Sequence, residues 1–212
     1  MIKAMKPLTL CLLALILFSI PINTSAAWHD TDAKPRVEIE YTVFLSSAME
    51  TALKAYDPEF QIWDANFYAP MLRGIYEYKS SQPWRQFLAM QTPSAVLGDF
   101  NADGMPDMAM LGHNKTHEKR IVLLSGAKGY SVLELLRPFP IDENTRNAIK
   151  IGRGRSEVYL ELIPPSKIKA KPAYERPELD LKTDAFVLGH FEKASSIYVY
   201  DNGKFIHYAL SD

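Results

Sequence analysis

Only one cysteine occurs in the chain, Cys11, and it lies close to the amino terminus. The remainder therefore has no disulfide, no thiolate nucleophile and no cysteine-ligated metal. An excess of basic charge is also missing. Lysine and arginine number 24 against 25 acidic residues, a formal net charge of −1. A chain so balanced has no electrostatic footprint for nucleic acid. The local basic runs at 115–120 and 167–171 read as solvated loops. No Gly-x-Ser-x-Gly elbow is present, so the hydrolase nucleophile signature is absent. Gly152-Arg153-Gly154-Arg155 lacks the Gly-Lys-Ser/Thr ending of a phosphate loop and reads as a turn.

What is present begins with an address. Lys3 and Lys6 precede an apolar run over 8–20, Pro21 breaks it, and Thr24-Ser25-Ala26-Ala27 offers small residues for cleavage. This is the pattern of a secretory signal peptide over 1–26. The rival reading is an uncleaved anchor, but the run is shorter than the ~20 residues that cross a bilayer. Cys11 follows Leu8-Thr9-Leu10 and lies too early for a lipoprotein site. Export without disulfides points to a bacterial envelope or secreted protein. The expected compartment is periplasmic or extracellular, with no membrane span after cleavage. The roughly 185 residues over 27–212 suit one domain with a sizeable core.

The mature region reads as helices first and strands afterwards. Tyr41, Phe44, Leu45, Ala48, Met49, Ala52, Leu53 and Tyr56 form one helical stripe. Asp57-Pro58 stops it. A short strand over 37–43 is an alternative start. A second helix is expected over 66–79, capped by Asp64 or Asn66 with Pro70 in its first turn. From Pro93 short apolar runs at 94–98, 108–112, 120–125 and 130–136 predict a four-stranded antiparallel meander. Residues 138–155 read as irregular. A strand follows at 157–163, then a Pro-, Lys- and Glu-rich surface loop over 164–182. Final strands are expected at 185–191, 196–200 and 205–210. Asn202-Gly203 joins the last two as a hairpin turn. The expected fold is α+β, a helical front (about 37–90) packed on an antiparallel sheet (about 93–212).

The most specific motif joins the first two strands of that meander. Asp99-Phe100-Asn101-Ala102-Asp103-Gly104-Met105-Pro106-Asp107 places an oxygen-bearing side chain at every second position from Asp99 to Asp103. Alternation aims Asp99, Asn101 and Asp103 inward, and Gly104 supplies the positive φ that turns the chain. Met105 would offer its carbonyl and Asp107 would close the shell. Phe100 would point into the core. Such an all-oxygen loop suits Ca²⁺ better than Mg²⁺, which demands a stricter octahedron. Position twelve, where an EF-hand carries a bidentate glutamate, is Met110. Affinity is therefore expected to be weak, on the order of 10⁻⁴–10⁻³ M.

Residues 98–110 resemble the calcium-binding hairpin of FG-GAP and VCBS repeats, which build β-propeller blades in exported proteins. The resemblance covers about 94–112. It implies Asp99, Asn101, Asp103 and Asp107 as side-chain ligands and Met105 as a carbonyl ligand. A propeller needs several self-similar blades, whereas this chain has one copy. Asp201-Asn202-Gly203 lacks the later acids. The chain is also similar to exported bacterial proteins that carry a single such hairpin, a likeness that implies no activity.

No catalytic constellation accompanies the loop. His113 and His117 are four apart, but a zinc pair at that spacing needs a helix, and Gly112-His113-Asn114-Lys115 reads as a loop. Glu157 and Glu161 fit exposed alternation along a strand. The expected role is a non-catalytic envelope protein with a structural Ca²⁺, binding an envelope or extracellular partner. Exposed aromatics such as Trp28, Trp63 or Trp84 would serve such binding. The alternative is an exported hydrolase using carboxylates that leave no local signature.

Overall fold

The computed structural model describes residues 42–69, 91–150, 154, 156–171 and 176–211. All belong to one compact unit, Glu38–Asp212. The signal-peptide region, residues 70–79 of the second expected helix, Trp28 and Trp84 lie outside the described residues.

Ser46 opens the first helix, α1 (Ser47–Tyr56), where its hydroxyl accepts the Met49 N–H at 3.3 Å. The helix begins later than the apolar stripe predicts: residues 42–46 are not helical, and Phe44 is 84% exposed. A serine at 46 competes for the backbone as a cap, which sets the start. Asp57 ends α1 as expected. Residues 65–67 form a single 3₁₀ turn capped by Asp64, and Tyr68 is already extended. The expected α-helix therefore does not start at 66.

Strands β1 (Gln61–Ile62), β2 (Gln91–Thr92), β3 (Ala95–Gly98), β4 (Asp107–His113), β5 (His117–Leu124), β6 (Ser131–Glu134) and β7 (Phe139–Pro140) form one antiparallel sheet. Its central order β3-β4-β5-β6 is the predicted meander. The second sheet is β8 (Val158–Ile163), β11 (Ala185–His190), β12 (Ser195–Asp201) and β13 (Lys204–Ser211), in the order β13-β12-β11-β8. Asn202 and Gly203 take φ of 48° and 86° in the expected hairpin turn. Between β8 and β11 runs a two-stranded ribbon, β9 (Lys167–Ile168) and β10 (Leu179–Asp180).

Strand alternation sorts the side chains into three cores. Val96, Ala109, Leu111 and Val122 from the first sheet meet Leu160, Phe186 and Tyr198 from the second. The other face of the first sheet buries Met108, Met110 and Ile121 under Met49 and Leu53 of α1. The outer face of the second buries Val187 and Ile197 with Leu179 and Leu181. The molecule is thus β-rich α+β, with helix, sheet, sheet and ribbon in layers. Three local expectations are corrected. Residues 143–150, read as irregular, form the helix α2 (Glu143–Lys150), with Asp142 Oδ1 accepting the Thr145 N–H at 2.7 Å. The stretch 164–182 contains the ribbon, and its Leu179 and Leu181 are buried. Lys119 and Arg120 belong to β5, with the Lys119 side chain only 13% exposed.

Gly112 shows how tightly β1 docks. A Cβ there would lie 2.2 Å from Phe60 Cζ and 2.5 Å from the Gln61 carbonyl oxygen. The phenyl ring can swing aside, but the carbonyl belongs to the ladder between β1 and β4. Gly112→Ala is expected to cost about 1–3 kcal/mol as an overpacked site, read as a lower urea midpoint. A midpoint unchanged from wild type would mean that β1 is not held against Gly112.

Candidate functional site

The loop 99–106 connects β3 to β4, closed at its base by the Gly98–Asp107 pair in register. Its interior is built by side chains accepting from their own backbone. Asp99 takes the N–H of Asp103 at 3.2 Å and of Gly104 at 3.0 Å. Asn101 Oδ1 takes the same Asp103 N–H at 3.0 Å. Asp103 Oδ1 takes the Met105 N–H at 2.9 Å. Ala102 and Gly104 adopt φ of 62° and 79°, which curl the chain around these oxygens. Phe100 is fully buried, and the Met105 side chain is 55% exposed. The burial of Phe100 is as the alternation predicts.

Asp107 is buried more completely than a rim ligand needs to be, with no exposed surface. Its Oδ2 accepts the Phe100 N–H at 2.8 Å. Its Oδ1 accepts the Ser125 N–H and faces the Ser125 hydroxyl, both at 2.7 Å. Burial pushes the Asp107 carboxyl above the usual carboxylate range, against the pull of these donors. The Met105 N–H, with smaller help from Ser125 and Asn101, holds the Asp103 carboxyl below it.

Three partners escaped the sequence reading. Ser125, just past β5, brings its Oγ within 2.9 Å of both Asp103 oxygens as well as to Asp107. Its carbonyl accepts from Asn101 Nδ2 at 2.9 Å. Asp184, leading into β11, accepts the Asp99 N–H at 2.9 Å and so ties the loop to the second sheet. Tyr130 donates to the Pro106 carbonyl at 2.9 Å. Burial, and then the charges of Asp107 and Asp103, push its phenol up. No local pattern marks these residues, since they reach the loop only through the sheet register and the meeting of the two sheets.

A hydroxyl carries one proton. Three carboxylate oxygens from two residues lie within 2.9 Å of Ser125 Oγ. At least one of these carboxylates therefore meets a lone pair and not a proton. That contact is electrostatically unfavourable until positive charge enters the group. The donors are oxygens throughout, the chemistry of a hard cation. Asp99, Asn101, Asp103, Asp107 and the Met105 carbonyl supply oxygens of that kind, though among the described residues no three acidic or histidine side chains converge as a metal-holding group.

The other sequence candidates lie elsewhere. His113 ends β4, where its ring tilts against Phe67 at 4.7 Å. It is not in a loop, and burial lowers its pKa. His117 starts β5. Glu157 accepts from Lys193 Nζ at 3.0 Å and lies 3.6 Å from His190 Nδ1, while Glu161 sits within β8. Trp63 is not exposed for binding: it is 2% exposed and stacks on Phe67 at 4.5 Å. No helix among the described residues is long and apolar enough to cross a membrane. Compared with family models, with curated proteins and with solved structures, the chain finds no match in any of the three.

Proposed function

We propose that the loop 99–107 is a calcium clip in an exported, non-catalytic protein that binds a partner at the envelope or outside it. The observation that carries the clip is the gathering of Asp103 and Asp107 around the single Ser125 hydroxyl. A divalent cation held by Asp99, Asn101, Asp103, Asp107 and the Met105 carbonyl removes the repulsion there. Because Asp184 holds the same loop from the second sheet, an ion at this place stiffens the corner where the two sheets meet. The periplasmic or secreted setting rests on the amino-terminal pattern, and that setting supplies the calcium.

The clip is tested by melting the purified protein in ~1 mM Ca²⁺ and again in chelator. With a Kd near 0.1 mM, calcium adds roughly 1.4 kcal/mol, a rise of a few degrees in Tm. Asp103→Ala should melt alike in both conditions. Identical melting of the wild type with and without calcium would overturn the clip.

A further inference from the structure

Away from the loop, a recess of about 200 Å³ opens between α2, the start of β5 and the second sheet. Drug-sized ligands need ~300–1,000 Å³, so this one has room for a few heavy atoms. Phe67, Ile149 and Val158 give it an apolar wall. Two acids, Glu118 and Glu157, share the lining with His190, and no lysine or arginine does among the described residues.

The two acids differ in their company. Glu157 is engaged by Lys193 at 3.0 Å, with His190 at 3.6 Å. Glu118 alternates with Val122 and Leu124 on β5, so it faces the space between the sheets. It is half-buried, and among the described residues no hydrogen bond or ion pair reaches its carboxyl. Arg120 acts on it only through its field, with the guanidinium lying over the Phe139 ring at 4.5 Å. Burial pushes the Glu118 carboxyl up, as expected for a desolvated acid without a partner. Leaving such a group unpaired is unfavourable, and a cation with donors to spare would relieve it.

We infer that this recess binds a small primary ammonium compound, its charge on Glu118 and its short apolar body against Phe67, Ile149 and Val158. An ammonium carries three donors and no acceptor. Glu118 takes one, and the hydroxyls of Thr145 and Ser156, which line the same recess, take the others. A bulky ligand is refused by the volume, and an anion meets the unpaired Glu118 carboxylate.

The test uses n-butylammonium chloride as the probe, with 1-butanol as the uncharged match and NaCl as the ionic control. Amide shifts of Glu118, Ile149 and Val158 are followed by NMR in the full chain. Saturable shifts in the millimolar range are expected for the ammonium only. Glu118→Gln should bind at least tenfold more weakly. Ile149→Trp, which fills the recess from α2 and leaves the carboxyl intact, should abolish the shifts in a protein whose other amide signals keep their folded dispersion. Equal shifts with 1-butanol, or undiminished binding by Ile149→Trp or Glu118→Gln, would overturn the assignment.

Discussion

Asp107→Ala should lower stability by about 3–5 kcal/mol even with calcium chelated. The substitution removes the acceptor of two buried backbone donors, Phe100 N–H and Ser125 N–H. Each stranded donor costs about 1–3 kcal/mol, and an empty space the size of a carboxylate adds to that. A domain holds only ~5–15 kcal/mol in total, so about a fifth or more of its stability rests on this side chain. Asp107→Asn should fall about halfway. Its amide oxygen keeps one N–H, while its NH₂ faces a group that also donates. The reading is the urea midpoint in chelator, with Asp103→Ala as the contrast. Asp103 turns to the exposed side of the loop, so without calcium its loss should leave the urea midpoint close to that of wild type. An Asp107→Ala protein as stable as wild type in chelator would show that the two N–H groups find other acceptors.

That contrast separates two duties the sequence pattern runs together. Asp99, Asn101 and Asp103 accept from the loop's own backbone. Asp107 accepts from the loop at Phe100 and from the end of the neighbouring strand β5 at Ser125. The first three shape the turn itself. The fourth is a bolt between the β3–β4 connection and the end of β5, with or without an ion.

The residues made some of this legible and hid the rest for a physical reason. Period-two alternation and the Asn202-Gly203 turn express local preferences, so the meander and the final hairpin could be read directly. The loop was legible too, because its side chains bond to backbone a few residues away. Ser125 and Asp184 were not. They reach Asp103 and Asp99 across 22 and 85 residues, and no local spacing encodes that. The sandwich was hidden likewise: Leu160 and Phe186 look the same whether they face a helix or a second sheet. Helix α2 was missed because only Ala148 and Ile149 are apolar in it. Its one cue, Asp142 three residues before Thr145, is short enough to pass for a turn. His113 was misread because Gly112, on its own a loop signal, lies inside β4, where only a residue without a Cβ admits Phe60 and Gln61.

Acid should weaken the fold through Asp57, and Asp57→Asn should remove that sensitivity. Asp57 caps α1 and binds the β4–β5 hairpin, accepting Lys119 Nζ at 2.8 Å and Asn114 Nδ2 at 2.9 Å. The side chains of the Lys119–Asp57 pair are 13% and 10% exposed. Lys119 also lies over the Tyr56 ring at 4.5 Å, which fixes where its charge can sit. Burial alone would raise the Asp57 pKa. Lys119, Asn114 and the Glu59 N–H outweigh burial and hold it below the usual carboxylate value of 3.8. A carboxyl depressed in the folded state binds its proton less tightly than in the unfolded chain. Its stabilisation is therefore complete above the unfolded pKa and is lost as pH falls through the folded one. At pH 6, Asp57→Asn should cost about 2–3 kcal/mol, somewhat under the 3–5 kcal/mol typical of breaking a fully buried pair. Below the folded pKa the wild-type carboxyl is neutral and resembles the amide, so the gap should close. In a Lys119→Met background the gap at pH 6 should be narrower, because the partner is gone. Urea midpoints of wild type, Asp57→Asn, Lys119→Met and the double variant across pH 6 to 2 decide it. A gap between wild type and Asp57→Asn that does not narrow toward pH 2 would mean the pair stabilises by shape and not by charge.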